Sequence, residues 1–133
     1  DRTWILGKYD DGLAAGVLLP DGTIDTSFQT DGILHVDVDD GPEMRNMVLT
    51  PSGKYFINGR ASNGYGDTML LTRSFTSGAL DTPFGSDGLA WTTISDYYNT
   101  TGDMVALPDG RVIVAGGGRY QGHPVFAIVQ YFP

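Results

Sequence analysis

Aromatic residues with amide, carboxylate or imidazole neighbours occur in turn-rich segments of this chain. The candidate ligand-binding residues are Tyr65, Asp96, Tyr97, Tyr98, Asn99, Tyr120, Gln121 and His123. An aromatic ring can stack on the C–H surface of a sugar or peptide, while the polar groups bind hydroxyls or backbone. The same tyrosines also suit packing between structural units or an oligomer contact, because Tyr is common in interfaces. The residue types leave both interpretations open.

Carboxylates next to hydroxyls suggest acid–base catalysis, but their repetition favours a structural role. Segments 25–28 and 81–84 both read Asp-Thr-x-Phe. A repeated Asp-Thr predicts side chains that cap backbone amides in turns, with the Phe packed between structural units. The loop carboxylates that a glycan hydrolase or lyase would need are Asp96, Asp103 and Glu43. Because no nucleophile motif, phosphate loop or dinucleotide fingerprint occurs, we expect a protein without catalytic activity.

One acidic segment is a candidate cation site, since hard cations bind several oxygens from one flexible loop. Its residues are Asp37, Asp39, Asp40 and Glu43. The spacing differs from that of an EF-hand, so a solvated acidic loop is favoured over a Ca²⁺ site. Zinc is disfavoured because the chain has no Cys and its two His residues, His35 and His123, lie in different repeats. We therefore predict no cofactor.

The composition disfavours helices and polyanionic partners. The chain has 133 residues with 19 Gly, and Lys plus Arg number 8 against 16 Asp plus Glu, for a formal charge of -8. Strong helix formers such as Glu and Lys are scarce, which argues against a mostly helical chain. Together with the strand pattern described below, this predicts an all-β protein. The net negative charge argues against nucleic acid and anionic membranes as partners. No apolar run is long enough to span a membrane, and no signal-peptide pattern is present, so we expect no membrane insertion.

An internal repeat organises the chain, with a spacing of 56 to 57 residues. Segment 22–28 matches segment 78–84, and segments 2–7, 54–59 and 111–116 match one another. The predicted units are a half unit at 1–22, a repeat at 23–78 and a repeat at 79–133. A period of this length is typical of propellers and other repeat arrays.

Each full unit reads as four short strands with alternating apolar residues and turn residues between them. The predicted strands are 33–38 and 89–94 for strand one; 44–49 and 103–107 for strand two; 2–8, 54–60 and 111–116 for strand three; 13–19, 68–75 and 125–132 for strand four. A recurring four-stranded antiparallel meander predicts propeller-like blades, with the Asp-Thr-x-Phe segment as the connection between blades. The Pro-x-Gly turns at 51–53 and 108–110 join strands two and three.

At these residues the chain resembles the delta-60 repeat family. The matching motifs are Pro-Asp-Gly at 20–22, Leu-Asp-Thr-Pro-Phe-Gly at 80–85, Pro-Asp-Gly-Arg at 108–111 and Phe-Ala-Ile-Val-Gln-Tyr at 126–131. Gln29 and Ser52 depart from the family pattern, which has Gly and Asp there. The resemblance implies a propeller-like fold and a mostly extracytoplasmic bacterial setting, and it implies no established chemistry.

About two and a half units form an incomplete ring, because propellers usually have at least four blades. We expect a longer array or a homo-oligomer, and a trimer is the first hypothesis because three chains would contribute about six blades. Apolar strands at both ends of the sequence would otherwise be exposed edges.

Sequence divergence between the units predicts the functional end. The loops between strands one and two and between strands three and four vary, whereas the other turns repeat, and the variable loops are expected at one end of the blades. We therefore expect a non-catalytic binding or adhesion module, extracellular or on a bacterial surface. Its ligand would be a glycan or another envelope component. The alternatives are a purely structural oligomerisation module and, less favoured, a glycan-active enzyme.

Overall fold

The computed structural model describes residues 3–10, 12–38, 42–62, 66–95 and 98–133. Within these ranges there is no helix, and ten antiparallel strands form three sheets. The strands are β1 (Thr3–Tyr9), β2 (Gly12–Leu18), β3 (Ile33–Val36), β4 (Glu43–Leu49), β5 (Lys54–Ser62), β6 (Asp67–Phe75), β7 (Leu89–Thr92), β8 (Asn99–Ala106), β9 (Val112–Tyr120) and β10 (His123–Tyr131). The all-β prediction is confirmed for the described residues.

The strands group into sheets that cross the borders of the repeats. The N-terminal sheet has the order β1-β2-β3, the central sheet β4-β5-β6-β7 and the C-terminal sheet β8-β9-β10. In the central sheet β7 pairs with β6, with Leu71 opposite Ala90. Strand one of each unit thus belongs to the sheet of the preceding unit.

This pairing corrects the predicted role of the Asp-Thr-x-Phe connections. They lie within a sheet, between β2 and β3 and between β6 and β7, and do not link one sheet to the next. The chain passes between sheets at segments 37–42 and 93–98, after strand one. The reason is local: after β2 and β6 the chain reverses in a tight turn, and short bridges at Leu18–Ile24 and Ser74–Leu80 return it to the strand it has just left.

Both faces of the central sheet are covered by other sheets. Neighbouring side chains on a strand point to opposite faces, so each strand of this sheet contributes to two cores. Ile57 and Leu70 pack in one apolar cluster with β2 and β3 of the N-terminal sheet. Phe56, Met69 and Leu71 pack in a second cluster with β8 and β9 of the C-terminal sheet. The central sheet therefore lies between the two others and supplies a layer to each core.

The two Asp-Thr-x-Phe connections are structural, as predicted, although the two aspartates act differently. Asp25 Oδ1 accepts a hydrogen bond from Ser27 N at 3.0 Å, which is the expected turn cap. Position 83 is Pro and lacks an amide hydrogen, and Asp81 instead binds the side chains of Lys54 and Arg73, with Arg73 Nε at 2.7 Å. The hydrogen bond from Lys54, with the nearby Arg73 charge, holds the pKa of the buried Asp81 carboxyl below its usual value.

The Pro-x-Gly turns have the predicted geometry. Gly53 and Gly110 have φ values of 77° and 88°, in the left-handed region that Gly adopts without a steric penalty. Their amides donate to Thr50 O and Leu107 O, each at 3.0 Å. These turns join β4 to β5 and β8 to β9 at the end of the sheets opposite the variable loops.

The double burial of β6 gives a test of the fold. Leu70 and Leu71 are each 1% exposed and face different sheets. We expect Leu70→Ala and Leu71→Ala each to lower the free energy of unfolding in urea by about 2–5 kcal/mol, because each leaves a cavity in a separate core. Leu49→Ala, at an exposed position, should change it by less than about 0.5 kcal/mol. A near-silent Leu71→Ala would show that the C-terminal sheet does not cover the central one.

Candidate functional site

The connector between β7 and β8 is described at residues 93–95 and 98, and Asn99 binds the first part of it. Asn99 Oδ1 accepts hydrogen bonds from the amides of Ile94 and Ser95, both at 2.8 Å. Its Nδ2 donates to Asp67 O at 2.7 Å and to Ser95 O at 3.1 Å. The side chain therefore joins Ile94 and Ser95 to the start of β6, where a loop between strands three and four ends.

Ser95 attaches the same connector to the C-terminal sheet. Its hydroxyl donates to Tyr98 O at 2.9 Å and accepts from Arg119 N at 3.1 Å. Arg119 N also approaches Tyr98 O at 3.2 Å. Tyr98 is thus fixed at the junction of the central and C-terminal sheets, next to the end of β9.

An arginine cluster, formed by Glu43, Arg45, Arg60 and Asp67, lies at this junction. Arg60 Nε and Nη2 donate to the two carboxylate oxygens of Glu43 at 3.2 and 3.0 Å, a bidentate geometry, and Nη1 donates to Asp67 Oδ2 at 2.6 Å. Arg45 Nη2 reaches Glu43 Oε2 at 2.9 Å. The hydrogen bonds and charge of Arg60, followed by the charge of Arg45, hold the pKa of Glu43 below its usual value.

The Tyr98 ring lies beside this cluster. The guanidinium carbon of Arg60 is 5.6 Å from the ring centroid, within the range of a cation–π contact. The Tyr98 side chain remains partly exposed. Two carboxylates hold the guanidinium of Arg60 beside the Tyr98 ring, and 40% of the Tyr98 surface is exposed.

The hairpin between β9 and β10 adds further aromatic and polar groups at this end. Gln121 and Gly122 have φ values of 50° and 79°, as a two-residue type I′ turn requires. Tyr120 and His123 face each other across the hairpin as a register pair, and both are exposed. Arg119, near the end of β9, binds Ser95 Oγ and Tyr98 O through its amide, so the hairpin begins next to Tyr98.

A groove of about 570 Å³ lies on the C-terminal sheet, close to the hairpin. Thr100, Gly117 and Pro124 line it, together with Phe126. Thr100, Gly117 and Pro124 each stand 57 residues after a member of the arginine cluster. The members at these repeat positions in the central sheet are Glu43, Arg60 and Asp67. The groove exists because small and uncharged residues replace the cluster there.

Of the predicted ligand residues, Tyr98, Tyr120, Gln121 and His123 lie at one end of the structure. Asn99 needs a correction, because it is 1% exposed and its amide is fully used in holding the connector. The other three, Tyr65, Asp96 and Tyr97, lie outside the described residues.

Arg60 was not identified by the sequence analysis, although it organises this end of the molecule. The available signal was its failure to repeat, since the matching positions hold Lys8 and Gly117. Glu43, the only Glu in the chain, carried a similar signal and was considered only as a cation ligand or a catalytic group.

The described ranges contain no group of three or more His, Asp or Glu residues placed to hold a metal ion. Asp39 and Asp40 of the candidate cation site lie outside these ranges, and Glu43 is paired with Arg60 and Arg45. His35 and His123 lie on different sheets. In the part of the chain that the structure describes, no helix is long and apolar enough to cross a membrane.

Comparisons with protein-family models, with curated protein sequences and with solved structures returned no match for this chain. The resemblance to the delta-60 repeat therefore rests on the motifs in the sequence.

The single Glu allows a direct test of the arginine cluster. With ¹³C-labelled Glu, one carboxyl signal titrates, and we expect the pKa of Glu43 below about 4.3, the usual value for Glu. Because this pKa is lowered in the folded state, the stabilisation is present above the unfolded pKa and is lost as the pH falls through the folded one.

Arg60→Met should return the pKa of Glu43 towards the usual value. The matched variant Arg45→Met should raise it less, since Arg45 makes one exposed contact with the same carboxylate. An unchanged titration in Arg60→Met would contradict the bidentate pairing.

Proposed function

We propose that this protein is a non-catalytic binding or adhesion module that recognises a glycan, or another envelope component with similar chemistry, through Tyr98 and the β9–β10 hairpin. The observation that carries the proposal is the partly exposed Tyr98 ring, held at the junction of two sheets beside a guanidinium that two carboxylates fix. A rigid, exposed ring costs little conformational entropy when a ligand binds.

The neighbouring groups support a sugar-like ligand. Tyr120 offers a second exposed aromatic side chain, and Gln121 and His123 offer amide and imidazole groups for hydroxyls. Aromatic rings with a few polar groups are the usual composition of such sites. The acidic composition argues against polyanionic ligands such as nucleic acid.

The state of Glu43 supports a binding role over catalysis. A general acid in glycoside cleavage needs a raised pKa so that it carries a proton near neutral pH. The pKa of Glu43 is lowered by Arg60, so its carboxylate is suited to an ion pair. Asp103 accepts hydrogen bonds from Asn46 and from its neighbour's amide, which suits a link between β4 and β8.

We also infer that the sheets are propeller-like blades of a bacterial extracellular or cell-surface protein. The four-stranded central sheet, packed face to face with a sheet on each side, supports this inference. So does the repeat, with its resemblance to the delta-60 family. A purely structural role is the second candidate, because large apolar side chains are exposed on the C-terminal sheet.

A glycan array followed by titration of the best ligand tests the binding role. We expect Tyr98→Ala, Tyr120→Ala and His123→Ala each to weaken binding, the Tyr variants by about two- to tenfold, because an aromatic contact contributes about 0.5–1.5 kcal/mol. Tyr9→Ala removes an exposed Tyr from the N-terminal sheet and should leave the affinity unchanged. Intact binding in all three variants would refute the assignment of the site, and an array without any ligand would favour the structural role.

A further inference from the structure

The outer face of the C-terminal sheet, the face turned away from the central sheet, carries large exposed apolar side chains. Phe126 is 74% exposed, Ile128 64% and Val105 52%. They lie together because β9 pairs with both β8 and β10 in register, with Val105 opposite Ile113 and Ile128 opposite Ala115. An apolar patch of this kind on a β-sheet marks an interaction surface.

The repeat shows what this face is built to contact. Phe126, Ile128 and Val105 stand 57 residues after Met69, Leu71 and Val48 of the central sheet. Met69 and Leu71 are only 1% exposed, because the C-terminal sheet packs over them. The exposed outer face of the C-terminal sheet is therefore the counterpart of the face of the central sheet that the C-terminal sheet covers.

The outer face of the N-terminal sheet is the matching counterpart on the opposite side. Ile5 and Ala14 occupy the repeat positions of Ile57 and Leu70. Ile57 and Leu70 belong to the central sheet, and the N-terminal sheet packs over them. This face contains a depression of about 210 Å³, lined by Ile5, Leu6, Gly7, Lys8, Ala14, Gly16 and Ile33. The two outer faces thus correspond, by repeat position, to the two faces that pack together where one sheet of the chain meets the next.

The sizes of the side chains also match. In the existing interface Met69 packs over Gly116, since a Cβ at Gly116 would lie 3.2 Å from Met69 Cε. The repeat counterparts of this pair on the outer faces are Phe126 and Gly7. The larger Phe126 requires more space, and a Cβ at Gly7 would meet no atom within 4 Å. A protruding ring and an open depression therefore stand at equivalent positions.

We propose that the outer face of the C-terminal sheet binds the outer face of the N-terminal sheet of a second copy of this chain, with Phe126 entering the depression above Gly7. Such a contact is head to tail, so each copy uses two different surfaces, and it leads to a closed ring or to a filament. Each chain contributes three sheets, so two copies bring six sheets together. The proposal goes beyond the binding role and does not depend on any ligand.

Light scattering after size-exclusion chromatography tests the contact, with two variants that block one face each. Gly7→Glu fills the depression with a charge, and Phe126→Ser removes the protruding ring. We expect the wild type to exceed the chain mass of 14.3 kDa as the concentration rises, and each variant alone to stay at that mass. An equimolar mixture of the two should form a 1:1 complex of twice the chain mass, because each variant retains the face that the other needs.

Two controls should associate like the wild type. Thr76→Glu adds the same charge at an exposed position in the turn after β6, and Leu49→Ser removes an exposed apolar side chain at the end of β4. Circular dichroism confirms that all variants are folded. A wild type at 14.3 kDa at every concentration would overturn the proposal and leave the face to another partner. Association that survives in both variants would overturn the proposal in favour of pairing between strand edges. Association of Gly7→Glu alone, with no 1:1 complex in the mixture, would overturn it in favour of a symmetric contact.

Discussion

The antiparallel pairing of β7 with β6, and of β3 with β2, decides where each sheet ends. It adds strand one of a unit to the sheet of the preceding unit, so the central sheet gains a fourth strand and the chain crosses between sheets at segments 37–42 and 93–98. The described residues on either side of the second crossing, Ser95 and Tyr98, consequently lie at the junction of two sheets. Tyr98 and the bonds of Asn99 and Ser95 depend on this path.

The same pairing explains which surfaces remain open. The central sheet packs one face on the N-terminal sheet and the other on the C-terminal sheet, as its two separate cores show. The N-terminal and C-terminal sheets each pack one face on the central sheet, and their other faces carry the exposed side chains of Ile5 and of Val105, Phe126 and Ile128. The groove on the C-terminal sheet arises in a related way, because Gly117 replaces Arg60 where no charged cluster is formed.

Strands and turns could be predicted from the sequence because they depend on local patterns. The alternation of apolar residues located all ten strands, and the Pro-x-Gly motif predicted the left-handed Gly53 and Gly110. The pairing of strand one could not be predicted in this way, because periodicity gives the faces of a strand and says nothing about its neighbour. The repeat itself favoured a sheet made of strands one to four of the same unit. The observed sheets have a different border, because a unit of sequence does not have to coincide with a sheet.

The candidate site remains a prediction, and the sequence indicated only some of the residues that the structure brings together there. Divergence among the loops indicated Tyr98 and the β9–β10 hairpin as candidates, whereas Asn99, from the same loop, is buried and structural. Arg60 lies in a strand, and its importance comes from Glu43 and Asp67, which are distant in sequence and meet it only in the folded chain. Spacing within one segment carries no information on such contacts.

The most direct test of this account is the measurement of cross-strand NOEs for β7 by solution NMR. The account predicts backbone NOEs between β7 and β6, around the register pairs Leu71–Ala90 and Thr72–Leu89. NOEs that instead pair β7 with β8 would restore the border of the sequence repeat and contradict the arrangement on which the site and both outer faces depend.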